Sequence, residues 1–421
     1  MTSTTPLEPG FYGLGIAPKL LEILWKLKFK TPTPIQQKSI PIAVEGKDMI
    51  GIAQTGTGKT LAYGIPLIQR LAQVKGRGLV ILPTRELALQ AEETLRQIGY
   101  SIGLRTAVLI GGASMHLQIQ ALRKNPHVLV VTPGRLIDHL EQKTVQLKDI
   151  KILVLDEADR MLDMGFAPQI KKILQTVPTD RQTMLFSATM PQEILRIASA
   201  YMRLPIQVEM APSGTMAERV TQELYVVSKM DKIRLLDRIL SERRGSILVF
   251  TRTKHIAKRI TQTIRGMGHT SAEIHSNRSL NQRREALDGF KSGKYRVLVA
   301  TDIAARGIDV KNIECVVNYD LPDQAEDYVH RIGRTGRAGE AGHAISIATP
   351  DQRQEIAAIE RFTRSRLPIS KPIDLPAARP MEKFLPDPPP RVYQPHRKFG
   401  TPARAYGGGG GRRQSFSRRS R

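Results

Sequence analysis

Apolar residues along this chain gather in short continuous runs, and between the runs they recur every three to four positions. Short runs that are apolar at every position predict strands buried on both faces, and the longer period between them predicts amphipathic helices. Candidate strands are residues 49–52, 79–82, 106–110, 128–131, 152–155 and 184–186. A second set follows at 247–250, 272–275, 297–300, 316–319 and 344–347. Ahead of the first strand, residues 20–27 predict a short helix stopped by Pro32 and Pro34, and Ile35-Gln36-Gln37 opens another. The expected fold class is α/β, two tandem parallel sheets covered by helices. Between the two sets, residues 204–216 hold Pro205, Pro212, Ser213 and Gly214 without a period and predict a linker. The expected domains are residues 1–208 and 219–366, joined by a linker at 209–218.

From about residue 367 the pattern stops. Residues 386–390 are proline-rich, 407–411 are all glycine, and 391–421 hold nine Lys or Arg with no Asp or Glu. Such a segment buries too little apolar surface to fold alone, so 367–421 is expected to be a disordered basic tail. The whole chain carries 64 Lys plus Arg against 39 Asp plus Glu, a net +25. Without the tail's nine charges, 25 − 9 = 16 positive charges remain, so the folded body is basic too. An excess of that size implies a polyanionic partner, gained through phosphate neutralisation and counterion release. Cys315 is the only cysteine, which excludes an internal disulfide. No apolar run approaches a membrane span, and residues 1–6 lack the basic and apolar regions of a signal peptide. A cytoplasmic, monomeric protein without a membrane partner is the expectation. The histidines show no zinc-ligand spacing, and no Ser-His-Asp or Cys-His arrangement stands out.

The chemistry gathers where strands end. Ala53-Gln54-Thr55-Gly56-Thr57-Gly58-Lys59-Thr60 follows the first strand and leads into a helical pattern. A glycine turn at a helix N-terminus converges backbone N–H groups and the positive dipole end on one point, where a polyphosphate can sit. There Lys59 would reach the β and γ phosphates and the Thr60 hydroxyl would hold Mg²⁺. Ala53 stands where the motif usually opens with Gly, and a small residue still permits the turn. Asp156-Glu157, after another strand, supply a carboxylate for Mg²⁺ and one to orient or deprotonate water; acidic residues also begin helices for dipole reasons. Pro83-Thr84-Arg85, Thr132-Pro133-Gly134-Arg135 and Ser187-Ala188-Thr189 also follow strands, so polar residues collect at one sheet edge, where ligands bind in such folds. His330-Arg331-Ile332-Gly333-Arg334-Thr335-Gly336-Arg337 spaces three arginines among glycines and can supply arginine fingers from the second domain.

Nine segments in order resemble the motif series of DEAD-box RNA helicases: 29–36, 53–60, 83–88, 111–112, 132–135, 156–159, 187–189, 305–309 and 330–337. The resemblance covers about residues 11–365, and 156–166 with 249–255 look like the bacterial RhlE-type branch. It implies two RecA-like domains with ATP between them, RNA across both, and short duplexes opened locally without long-range translocation. Carried over by position, Phe29 would stack on adenine and Gln36 read its edge. The loop from Ala53 to Thr60 would hold the phosphates and Mg²⁺, with Asp156 on the metal's water and Glu157 on the attacking water. Asp309 would meet the ribose, and Arg334 and Arg337 the γ phosphate. RNA contacts would come from Pro83, Thr84, Arg85, Gly111, Gly112, Thr132, Pro133, Gly134, Arg135, Arg283 and Thr301. Asp159, Ser187, Thr189 and His330 would couple the two sites. Two positions depart: Lys28 stands where Gly usually precedes the aromatic, and Leu280 replaces Gln in the usual Gln-x-x-Arg. The expected partner is structured or duplex RNA, with ribosomal precursors or RNA-decay components as candidates. Other readings are an ATP-gated RNA clamp or chaperone, a DNA translocase of the same fold, and a P-loop small-molecule kinase.

Overall fold

The computed structural model describes residues 10–54, 56–210, 220–302, 310, 313–336 and 342–370. All of the expected tail beyond residue 370, most of the linker, and Thr55, Asp309 and Arg337 lie outside them. The described residues belong to one compact unit built on two parallel sheets.

The first sheet has seven strands in the order β3-β4-β2-β5-β6-β1-β7. They are β1 (Met49–Ile52), β2 (Arg77–Ile81), β3 (Thr106–Leu109), β4 (Val128–Val131), β5 (Ile150–Leu155), β6 (Gln182–Ser187) and β7 (Ile206–Glu209). Helices α1 (Pro18–Lys26), α2 (Pro34–Val44), α3 (Lys59–Leu71), α4 (Arg85–Gly99), α5 (Met115–Arg123), α6 (Pro133–Glu141), α7 (Ala158–Asp163), α8 (Ala167–Thr176) and α9 (Gln192–Tyr201) accompany it. Successive residues of β2 point to opposite faces, and both faces are core: Leu79 and Ile81 join one apolar cluster, Val80 and Leu82 the other. That is why the run reads as continuously apolar rather than alternating.

The second sheet has six strands in the order β10-β11-β9-β12-β13-β8. They are β8 (Val220–Val226), β9 (Ile247–Phe250), β10 (Ser271–Ile274), β11 (Val297–Ala300), β12 (Cys315–Asn318) and β13 (Gly342–Ala348). Helices α10 (Asp231–Glu242), α11 (Lys254–Gly266), α12 (Leu280–Lys291), α13 (Ala325–Ile332) and α14 (Arg353–Thr363) flank it. No helix among the described residues is long and apolar enough to cross a membrane.

The linker expected at 204–216 needs correction, because residues 206–209 form β7 and pair in parallel with β1. Strand β8 had no counterpart among the expected strands at all. Both lie at a sheet edge, and along β7 only Val208 is buried, so neither shows the continuous apolar run of a central strand. Register sets the site: Ile81 lies opposite both Leu155 and Val131, and Ile52 opposite Ser187. The segments that follow these strands therefore emerge together at one edge.

Candidate active site

Between β1 and α3 the chain turns through two glycines with left-handed backbone, Gly56 at φ 86° and Gly58 at φ 89°. Gly58 is the N-cap of α3, and a β-carbon there would collide with the side-chain amide of Gln36. Gln36 is fixed at both ends: its Nε2 donates to the Gly58 carbonyl at 2.9 Å, and its Oε1 accepts from the Thr33 amide at 2.9 Å. The second bond is half of a capping box on α2, so the Pro32–Pro34 turn, α2 and the phosphate loop are tied to one another. Thr57 braces the loop by donating to the Gln54 carbonyl at 2.7 Å. Buried Ala53 donates its amide to the Ser187 carbonyl at 2.9 Å. Phe29 is half-buried against the same core cluster as Ala53. The preceding Lys28 has φ 63°, which explains why glycine suits that position.

Lys59, the first residue of α3, is buried between two carboxylates. Its Nζ lies 3.3 Å from Glu157 Oε1 and 3.8 Å from Asp156 Oδ1. Burial alone would depress this ammonium, but Glu157, Asp156 and Asp159 outweigh it and raise its pKa. Burial pushes Asp156 up from 3.8 to about 6 against the opposing pull of Lys59, with Glu157 adding to the rise. Asp156 also accepts the Glu157 amide at 2.9 Å. Glu157 sits in left-handed backbone at φ 56° and ψ 48°, a conformation that a non-glycine residue adopts at a cost. Thr60 is half-buried at the next position of α3, near the hydroxyl of buried Tyr63, whose ring packs on Phe186.

Asp159 joins this centre to the turn after β6. Its Oδ2 accepts from the amides of Ala188 at 3.0 Å and Thr189 at 2.9 Å, and from Thr189 Oγ1 at 3.1 Å. In return the Ser187 hydroxyl accepts the Asp159 amide at 3.2 Å. Asp159, Ser187 and Thr189 are thus one hydrogen-bonded unit.

The second sheet presents His330 and Arg334 from α13 and its end. Arg334 is buried and donates from Nε to the His330 carbonyl at 3.2 Å. Arg331 does not serve as a finger, contrary to the reading of three spaced arginines. It forks onto Asp302 at 2.5 and 2.6 Å and spends Nη1 on Asn318 and the Asp320 carbonyl, all in its own lobe.

The segments expected to hold RNA cluster beside α4. Thr84 is buried and caps α4, accepting the Leu87 amide at 3.3 Å, so its hydroxyl already has a structural task. Pro83 precedes it in the turn after β2. Arg85 lies against Gly111 and Gly112, and a side chain on Gly112 would collide with its guanidinium. Arg135 donates to the Ala113 carbonyl at 2.9 Å. Thr132 and Pro133 are buried at the start of α6, while a β-carbon on Gly134 would meet open space. Burial and then Arg283 and Arg135 depress the Arg85 guanidinium, with Glu86 opposing them. A group of like charges with one carboxylate among them suits an anion. Arg283 departs from a pure RNA role: it reaches across to Glu86 Oε2 at 2.8 Å, with both side chains almost buried. Leu280, in place of the usual Gln, packs against the first sheet's apolar cluster. Thr301 is half-buried after β11.

Three residues of this site had no role assigned in the sequence reading: Tyr63, Glu86 and Arg160. They belong to α3, α4 and α7. For Arg160 the signal was its position directly after Asp156 to Asp159.

The profile of the DEAD/DEAH box helicase family matches residues 33–197, and that of the helicase conserved C-terminal domain matches residues 231–339. The ATP-dependent rRNA helicase RRP3 of Debaryomyces hansenii is 44% identical over 362 residues, covering 85% of this chain and 76% of that protein. The DEAD-box ATP-dependent RNA helicase CshA of Geobacillus kaustophilus is 42% identical over 372 residues, covering 87% and 79%. Among solved structures, S. cerevisiae Dbp5 bound to RNA and ADP BeF3 superposes with a TM-score of 0.76 at 30% identity, covering 85% of this chain and 95% of that one. With its phosphate loop, paired carboxylates and second-lobe arginines in these positions, the chain belongs to the DEAD/DEAH box helicase family and is an ATP-dependent RNA helicase.

Proposed function

We propose that this helicase opens short RNA duplexes locally, with ATP and Mg²⁺ bound where the two lobes meet and hydrolysis released by RNA that spans both. One observation supports the reading above the others: Lys59, Asp156 and Glu157 of the first lobe lie beside His330 of the second, through Arg160.

The residues present fit the nucleotide and its metal. Lys59 is a buried cation against two carboxylates, and burial, with Glu157 adding to it, pushes that of Asp156 up to about 6 despite Lys59. A divalent cation beside Asp156 relieves that, and Mg²⁺ is typically held by one or two carboxylates plus phosphate oxygens. When bound, Mg²⁺ neutralises charge on the phosphates. Asp156 and Thr60 would hold it, and the loop from Ala53 to Thr60 would cradle the phosphates with backbone N–H groups. Lys59 would then leave its carboxylates for a phosphate oxygen. Glu157 would orient the attacking water and take its proton. Arg334 and Arg337 would balance charge at the γ phosphate, and Asp309 would meet the ribose. Phe29 would stack on adenine, and Gln36 would read its edge while reporting on the loop through Gly58. Asp159, Ser187, Thr189 and His330 would couple hydrolysis to RNA.

RNA would run over Pro83, Thr84, Arg85, Gly111, Gly112, Thr132, Pro133, Gly134 and Arg135, with Arg283 and Thr301 from the second lobe. The basic residues of 391–421 would add sequence-blind phosphate contacts. Relatives named as rRNA helicases favour precursor ribosomal RNA as a substrate. The test is ATP hydrolysis and strand displacement with RNA and DNA of equal sequence, on short and long duplexes. RNA alone should stimulate, because only RNA offers the 2′-OH, and the short duplex should open preferentially. Stimulation by DNA to the same extent, or no displacement of either duplex, would overturn the proposal.

A further inference from the structure

Arg160 is among the largest side chains to be fully buried, at 1% exposure, and it is the most costly kind to bury. It sits on α7, three residues beyond Glu157. Its Nε lies 2.8 Å from Glu157 Oε2. Its Nη2 lies 3.2 Å from Nδ1 of His330, in the second lobe. A guanidinium only donates, so the His330 Nδ1 in this contact is the accepting, unprotonated nitrogen. The contact to Glu157 is an ion pair without hydrogen-bond alignment, and among the described residues neither Nε nor Nη1 has a hydrogen-bond partner. One planar cation therefore spans from the carboxylate of the first lobe to the imidazole of the second. An arginine has the geometry for this, since its separate N–H groups are held in a rigid fork.

We infer that Arg160 is a positioning residue for hydrolysis: it holds the Glu157 carboxylate in place, and it is itself held in place by His330 when the lobes are together. This rests on the reading of Glu157 as the group that orients water. The left-handed backbone of Glu157 makes such a hold necessary, because a strained residue keeps its geometry only where its surroundings fix it. When the lobes separate, Arg160 loses the His330 contact and its Nη2 turns to solvent. The carboxylate then loses its fixed orientation. Closure by RNA would thus tune the first lobe's own catalytic group, in addition to delivering Arg334.

The experiment measures RNA-stimulated kcat, KM for ATP and ATP affinity for the full chain, Arg160→Met, Arg160→Lys, His330→Asn and His330→Leu. Thermal unfolding is recorded for each. Arg160→Met is expected to lower RNA-stimulated kcat by roughly tenfold or more, a part of the 10²–10⁴ that a positioned base contributes, with ATP affinity within a few-fold. Arg160→Lys should rescue poorly, because one ammonium cannot meet both partners. Asn presents a carbonyl oxygen close to where His330 carries Nδ1, so His330→Asn should retain about tenfold more RNA-stimulated kcat than His330→Leu. The Arg160→Met and His330→Leu losses should not add when combined, as expected for groups in one contact. Equal kcat for His330→Asn and His330→Leu, or additive losses, would overturn the inference, and the His330 pair decides this even where Arg160→Met unfolds. If the unaltered chain shows no RNA stimulation, the reading of the function fails as well; if it is stimulated and the variants match it, only the role of Arg160 fails.

Discussion

At Asp156, burial and ionisation oppose one another. The buried carboxyl is pushed from 3.8 up to about 6, so the folded chain holds that proton more tightly than the unfolded chain does. The sign follows: this group favours the folded state below its ordinary value, and that contribution is lost as pH rises through about 4 to about 6. Mg²⁺ requires the ionised form and competes with the proton. At low Mg²⁺, kcat/KM for ATP should therefore show an acid limb with a midpoint near 6 that moves lower as Mg²⁺ rises. Asp156→Asn should remove the limb together with most of the activity. A midpoint indifferent to Mg²⁺ would assign the limb to another group. At this scale Lys59, Asp156 and Glu157 were legible in sequence, because glycine spacing and strand ends mark them. Arg160 and Arg331 were not distinguishable there from solvated arginines. What separates them is burial and a committed fork, which only packing reveals.

The elements carry the link from nucleotide to turn. Helix α7 begins at the strained Glu157, and its Asp159 collects three donors from the turn between β6 and α9. Asp159→Ala strands two backbone N–H groups and a hydroxyl, at about 1–3 kcal/mol for an unsatisfied buried donor. Its Tm should fall measurably, and strand displacement should fall further than RNA-stimulated hydrolysis. Asp159→Asn keeps one oxygen on those donors and should lie between. Equal losses of both activities in Asp159→Ala would leave the turn without a coupling role. Central strands such as β4 and β9 were readable because both faces are core and every position is apolar. The edge strands β7 and β8 were not, since one-sided exposure and the prolines around residue 205 resemble a loop. Lys28 shows the same effect in one residue, because a left-handed backbone with φ 63° leaves no mark where lysine replaces glycine.

Across the whole molecule, the two lobes meet through charge. Arg283 reaches Glu86, Arg160 reaches His330, and Glu326 is raised first by burial and then by Asp163 and Asp159 of the other lobe. Two sets of strands, a phosphate loop in the first half and spaced arginines in the second were visible in the sequence. The lobe-to-lobe pairs were not visible, since each joins residues far apart in sequence that no local pattern connects. A ligand that spans both lobes favours their closed arrangement by binding it better, and ATP and RNA must then tighten each other by the same factor. The most direct test is single-turnover ATP hydrolysis by the unaltered chain and by Arg334→Ala, with and without saturating RNA, beside ATP affinity without RNA. The shared site predicts that Arg334→Ala lowers the RNA-stimulated rate by roughly 10³–10⁵, the range for arginine fingers, and leaves RNA-free ATP affinity within a few-fold. An RNA-stimulated rate that survives Arg334→Ala, or an unaltered chain that hydrolyses ATP equally fast without RNA, would contradict it.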